Sequence, residues 1–367
     1  MDNIKFDIHL NVGKMFRTAK SNSLEMFYTG KEIADYCKFY KLTHIVCIYD
    51  EYEHLKELID NAPDTKVYGV QWIVDLENQE LDVGKEGWYG IKLHSHRGYR
   101  DSRLYDRTKP SRKATEEEWE KKPLSYGLDY ADKYIKTVLD KLPKNSLVYM
   151  HTQGGATLKN RARPEHVFML ATEYRNLKFI MGHAGNYGGM TASMPSLRGG
   201  IPTEHIGQAS KDRFRGPMQN YIDGHSAVLQ AVSYANHTHN IFLDSSCYID
   251  QKQLLSNTHK WAVGSDYPFG NNKRSTGQNA NDETIHFDET HWKKSGYIWN
   301  YDKQVELFEN IMDKYLVSST HKHARYWIET DVDKLAIDCQ RSWERTKDVW
   351  KHTKSVNRQK RKDENAS

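Results

Sequence analysis

Eight short runs of apolar and β-branched residues recur along this chain, and the stretches between them carry the 3.6-residue period of amphipathic helices. That alternation constrains the fold more than any other feature. The runs are 4–11, 43–49, 67–74, 88–94, 147–152, 178–184, 240–245 and 261–266; helical periodicity covers 31–40, 52–59, 128–142, 165–174, 227–236 and 303–315. Repeated βα units build a parallel sheet, whose strands are buried on both faces and so read as apolar throughout. An open doubly wound sheet usually stops at about five to seven strands, whereas eight closes a barrel. The expected fold class is therefore α/β, a (β/α)8 barrel of the TIM type. It occupies 1–317, with long βα-loop insertions at 97–125, 185–224 and 270–300. A C-terminal helical extension, 318–367, ends in a basic and partly disordered tail.

Composition narrows the function classes. Fifty-three Lys and Arg against 49 Asp and Glu leave a net charge of +4, too little for the whole surface to be a nucleic-acid footprint. The excess is local: Arg341 to Lys362 holds nine basic residues and two acids, a net +7, so the rest of the chain sums to −3. Trp343 and Trp350 stand seven apart in that stretch, the spacing of an amphipathic helix that packs its tryptophans on the barrel, with nucleic acid as the alternative contact. The start MDNIKFDIHLNVG lacks the layout of a secretory signal, and no run approaches the roughly 18 apolar residues of a membrane span. A cytoplasmic protein with no membrane partner is expected. Cys37, Cys47, Cys247 and Cys339 form no CxxC pair, which favours reduced thiols. No Gly-rich phosphate-binding motif follows any run, so a nucleotide crevice has no support.

Five of the eight runs end in polar residues, at the end of a barrel where active sites gather. The first carries Asp7, His9 and Asn11, which period-two alternation places on one side, with Ile8 and Leu10 on the other. The fourth carries Lys92 and His94, followed by His96; the fifth ends at His151, the sixth at His183, and the eighth at Asp266. Imidazoles and carboxylates converging from separate strands suit a divalent ion such as Zn²⁺. Water on that ion becomes a nucleophile near neutral pH and needs a general base beside it.

The pieces DIHLN, GIKLH, VYMHTQ, FIMGHAG, NIFLDSS and WAVGSDYPFG follow one another in this order across 6–270. Together they resemble the amidohydrolase superfamily, in particular its amidohydrolase-2 branch of metal-dependent hydrolases, to which aminocarboxymuconate-semialdehyde decarboxylase belongs. The resemblance implies that His9, His151 and Asp266 are metal ligands and that His183 orients or deprotonates the water, with Asp266 sharing in proton transfer. Lys92 falls near the place where binuclear relatives carry a bridging carboxylated lysine. The family's DxHxH reads DxHxN here. Asn11 is a weaker zinc ligand than imidazole, which shifts preference towards a harder ion such as Mn²⁺ unless His94 or His96 supplies the missing nitrogen.

An inward lysine commonly pairs with an acid or holds a substrate carboxylate. Lys92, with Arg97 and Arg100 at the start of the first insertion, is thus a candidate for binding an anionic substrate. The expected function is metal-dependent hydrolysis of a C–N or ester-type bond in a small anionic molecule. Two alternatives stand beside it. One is non-oxidative decarboxylation of an aromatic or enoic acid at the same site; the other is a metal-free scaffold contacting nucleic acid through Arg341 to Lys362. A homodimer is compatible with each. The remaining histidines, among them His237, His239, His321 and His323, read as surface residues.

Overall fold

The computed structural model describes residues 4–18, 23–73, 76, 78–94, 135–152, 164–185, 230–246, 259–265, 275–278, 284–287 and 319–364. In chain order the elements are β1 (Phe6–Thr18), β2 (Ser23–Tyr28), α1 (Gly30–Tyr40), β3 (His44–Tyr49), α2 (Tyr52–Asn61), β4 (Lys66–Trp72), β5 (Trp88–His94), β6 (Leu147–His151), α3 (Pro164–Glu173), β7 (Lys178–Gly182), β8 (Ile241–Asp244), β9 (Trp261–Ala262), β10 (Ser275–Gln278), β11 (Thr284–Phe287), α4 (Ser319–Glu329) and α5 (Val332–Glu364). Residues 135–139 and 230–237 are also helical, within two of the expected helices. The expected helix at 303–315 lies outside the described residues.

Strands β1 and β3 to β9 pair in parallel in chain order. These are the eight runs found by pattern. The last meets the first: the Ile8 amide donates to Val263 O at 2.8 Å, and the Ser265 amide donates to Asp7 Oδ1 at 3.0 Å. The chain is a (β/α)8 barrel. Beyond β1 the sheet extends antiparallel through β2, β10 and β11, an extension that short, weakly apolar segments such as STGQ do not announce.

Burial on both faces explains the apolar runs. Val46 and Ile48 of β3, Tyr68 and Val70 of β4, Tyr149 of β6, Ile180 of β7 and Phe242 of β8 fill the barrel interior. Their neighbours Ile45, Cys47 and Tyr49 pack outward against Ile33 and Cys37 of α1 and Leu55 and Leu58 of α2. On the far side Ile91, Leu93, Val148, Met150, Phe179 and Met181 face Val167 and Leu170 of α3. Helix α1 starts at a capping box, in which Thr29 accepts from the Glu32 amide and Glu32 accepts from the Thr29 amide at 2.8 Å.

The N-terminal ends of the strands are plugged by α4. Ala324, Trp327 and Ile328 join the interior cluster, with Trp327 stacked on Phe242 at 4.9 Å between ring centroids. Lys178, at the start of β7, is buried and donates to Ile328 O at 2.6 Å, at the carbonyl end of α4 where a cation is favoured. His321 is 1% exposed and its Nδ1 accepts from the Phe6 amide at 2.8 Å, which corrects its expected surface placement.

Helix α5 runs on to Glu364. Residues 341–348 are all exposed; Trp343 is 53% exposed and its ring lies 6.3 Å from that of His237, at the end of the 230–237 helix, so it meets the barrel's outer layer only in part, and the Trp350 side chain lies outside the described residues. Lys347 Nζ stands 5.7 Å from the centroid of the Trp343 ring. Cys37, Cys47 and Cys339 are free thiols. Among the described residues no helix is long and apolar enough to cross a membrane.

Candidate metal centre

With one end plugged, the polar strand ends gather at the other. His9, Asn11, Lys92, His151, His183 and Asp244 are each 4% exposed or less. Buried groups of this kind need partners, because desolvation without a compensating hydrogen bond is costly.

A bulge in β1 places His9. Between the Asp7↔Ile45 and Leu10↔Cys47 pairs, β1 advances three residues while β3 advances two. Ile8 therefore faces the interior, and so does His9, whose ring lies 4.9 Å from Tyr149 and 5.2 Å from His183. Leu10 and Val12 face the outer layer, which leaves Asn11 on the inner side with His9. Asp7 faces outward among Tyr36, Cys37 and Cys47. The expectation that Asp7 shares a face with His9 and Asn11 is thus corrected, and the extra residue of the bulge is the cause. Asp7 holds the bulge together: its Oδ1 accepts from the amides of His9 and Ser265, each at 3.0 Å. Burial pushes its carboxyl up to about 7, against the lowering effect of the hydrogen bonds from Ser265 and His9.

Asp244, at the end of β8, is the hub of the site. Its Oδ2 accepts from His9 Nδ1 at 2.9 Å, Tyr149 OH at 2.6 Å, the His183 amide at 3.1 Å and the Ser246 hydroxyl. Its Oδ1 accepts from the Ser246 amide at 2.8 Å. Burial acts to raise its pKa, but the charge and hydrogen bond of His9, with help from His183 and Ser246, outweigh burial and hold the carboxyl well below the ordinary range. The Ser246 hydroxyl gives its one hydrogen to Asp244, and its oxygen stands 2.9 Å from His9 Nδ1 and 2.8 Å from His183 Nδ1. This network assigns the proton of each ring to Nδ1, since Ser246 has only acceptor capacity left. The Nε2 of each ring then carries the lone pair, the atom that could take a metal.

His183 stands in left-handed backbone conformation, φ 59°, which is uncommon for a non-glycine residue and is held by its amide bond to Asp244. Gly264 permits the hub: a Cβ there would lie 2.1 Å from Asp244 Oδ1 and 2.8 Å from His9 Cβ. His151 packs edge-on against His183 with centroids 4.8 Å apart. Lys92 Nζ sits 4.0 Å from the centroid of the Tyr149 ring, one aromatic ring away from Asp244.

Donor atoms of His9, His183 and Asp244 fall within 4.8 Å of one another. Two buried imidazoles from separate strands, with a carboxylate behind them, fit a borderline divalent ion by donor chemistry. Asp244 fixes the His9 tautomer directly and that of His183 through the Ser246 hydroxyl, whose one hydrogen it accepts, as carboxylates behind ligating histidines do. Of the residues expected from sequence, His9, His151 and His183 come together, with Lys92 beside them and Asn11 on the same inner side. Asp266, His96, Arg97 and Arg100 lie outside the described residues, and His94 is described through its backbone, paired with His151. Sequence reading missed Asp244, Ser246 and Tyr149. A usable signal existed, since NIFLDSS sets an acid at the end of an apolar run, as the other site strands do.

No protein-family model matches the chain, and no curated protein matches it. Among solved structures it is similar to an uncharacterized TIM-barrel protein from Bordetella bronchiseptica, at 14% identity and a TM-score of 0.28, over 71% of this chain and 66% of that one. The (β/α)8 fold is common among enzymes, and its chemistry lies in the strand-end residues rather than in the fold.

Proposed function

We propose that the protein is a metal-dependent hydrolase of the amidohydrolase type, acting on a C–N or ester-type bond of a small anionic molecule. The observation that carries this reading is the joint anchoring of His9 and His183 by Asp244 and Ser246 at the barrel mouth. His9 and His183, with His151 against them, would hold a zinc or manganese ion through ring nitrogens. Such an ion supplies Lewis acidity, polarising a substrate carbonyl and acidifying water. Asp244 keeps the proton of His9 on Nδ1 directly and that of His183 through Ser246, and stabilises any positive charge the rings gain. Buried Lys92 supplies the fixed positive charge that favours an anionic substrate.

The test is elemental analysis of the purified protein beside its His9→Ala and His183→Ala variants. Near-stoichiometric zinc or manganese is expected in the wild type and loss of at least tenfold in affinity in each variant. Wild-type protein that cannot be loaded would refute the reading. In the metal-loaded protein, release of amine or alcohol from anionic amides and esters is expected; release of CO₂ from aromatic acids in their place would make it a decarboxylase.

A further inference from the structure

The described side chains in the far part of α5, 341–348 and 353–355, are exposed, and the backbone stays helical to Glu364. Lys347, Lys351, Lys354, Arg358 and Arg361 follow one another at spacings of four, three, four and three, which puts these five positions on one face of the helix. At about 1.5 Å per residue they form a line about 21 Å long. No acid falls between Lys351 and Lys362. A solvated helix gains nothing from such a row, because like charges at i, i+4 destabilise it.

We infer that this face docks on the phosphate backbone of a B-form DNA duplex, with the helix along the major groove. A rod with evenly spaced positive charges complements a helix of phosphates, and an α-helix fits the roughly 12 Å major groove of B-DNA but not the deep, narrow groove of duplex RNA. A single-stranded ligand needs a series of aromatic faces for stacking, and 351–362 contains no Phe, Tyr or Trp. A lipid surface needs an apolar stripe, and 351–362 contains a single aliphatic residue, Val356. A second copy of the helix would bring like charges together. The contact is to phosphate, so it is independent of base sequence.

The experiment measures anisotropy of a labelled 24-base-pair DNA duplex with the full-length protein from 50 to 200 mM salt. Five phosphate contacts give a slope near −4.5 in log K against log salt, a loss on the order of 10²–10³-fold over that range. The variant K347Q/K351Q/K354Q/R358Q/R361Q keeps good helix formers, and circular dichroism checks that it folds. Its slope is expected to fall towards zero, while Arg341→Gln/Arg345→Gln, off the stripe, changes the slope by less than the five-site variant does. Absence of micromolar binding at 50 mM salt overturns the proposal. So does an unchanged slope in the five-site variant, equal or tighter binding to duplex RNA of the same length, or capture by phosphatidylserine vesicles with no binding to duplex DNA.

Discussion

Asp244 concentrates more of the site's energetics than any residue around it. Removing one charge partner from a buried, hydrogen-bonded pair costs about 3–5 kcal/mol, because the survivors are left desolvated. Asp244→Asn exchanges an acceptor oxygen for a donor amide where His9, Tyr149, Ser246 and the His183 amide all donate. Urea unfolding should register a loss of roughly that size, and zinc affinity should drop by about 10–100-fold, the usual effect of removing a carboxylate behind a ligating histidine. Wild-type stability together with wild-type affinity would show that Asp244 is not the hub. Gly264 depends on the same contact. Gly264→Ala drives a methyl into Asp244 Oδ1 and the His9 Cβ, between a hydrogen-bonded carboxylate and a side-chain carbon that only a backbone shift can move. A cost of about 1–3 kcal/mol is expected, read as a lower urea midpoint.

At the scale of elements, α4 matters more to the barrel than its polar sequence suggests. Trp327 fills the interior from below, so Trp327→Ala should cost about 3–5 kcal/mol in the same unfolding measurement. His321 adds a pH dependence. Burial, with Lys5 and His44 nearby, lowers its pKa from 6.5 to about 4, and the Phe6 amide that donates to Nδ1 suits the neutral ring. Above pH 6.5 both folded and unfolded chains hold the neutral ring, and the group is without effect. As pH falls from 6.5 to about 4 the unfolded chain takes up a proton that the folded chain refuses, and stability is lost across that window, by roughly 3 kcal/mol at its lower end. His321→Asn keeps an acceptor for the Phe6 amide and removes the titration. The difference in stability between variant and wild type should therefore move in the variant's favour between pH 7.5 and pH 4.5; a constant difference would rule out His321 as the source. None of this is legible in sequence, where a histidine on a polar helix reads as solvated. The eight strands are legible because burial on both faces leaves an apolar run. The bulge is not, since DIHLN looks the same whether or not one residue is squeezed out of register with β3.

For the whole molecule, the barrel's closure and its polar site are the same place. Strand β9 has two residues, and the described backbone and carboxylate contacts that join it to β1 are those of Ile8 with Val263 and Asp7 with Ser265. His9 follows directly on this seam and reaches past β9 to Asp244 on β8. Period and strand ends in the sequence bring His9, His151 and His183 to one rim. They mark Asp244 only as an acid at the end of an apolar run, because its role depends on a seam that exists only when the first and last strands meet. The site thus spans the join between the first and last strands, and whatever binds it opposes opening there. A ligand that binds the folded form alone slows exchange through that opening by the factor 1 + [L]/Kd, about 100-fold at 100 times Kd, equivalent to about 2.7 kcal/mol. Zinc added to the wild type should therefore slow hydrogen exchange of the Ile8 and Ser265 amides by about that factor. The same addition should leave exchange unchanged in His9→Ala. Seam amides indifferent to zinc in the wild type would mean that the histidine cluster anchors the barrel through Asp244 alone, and that no cation belongs there.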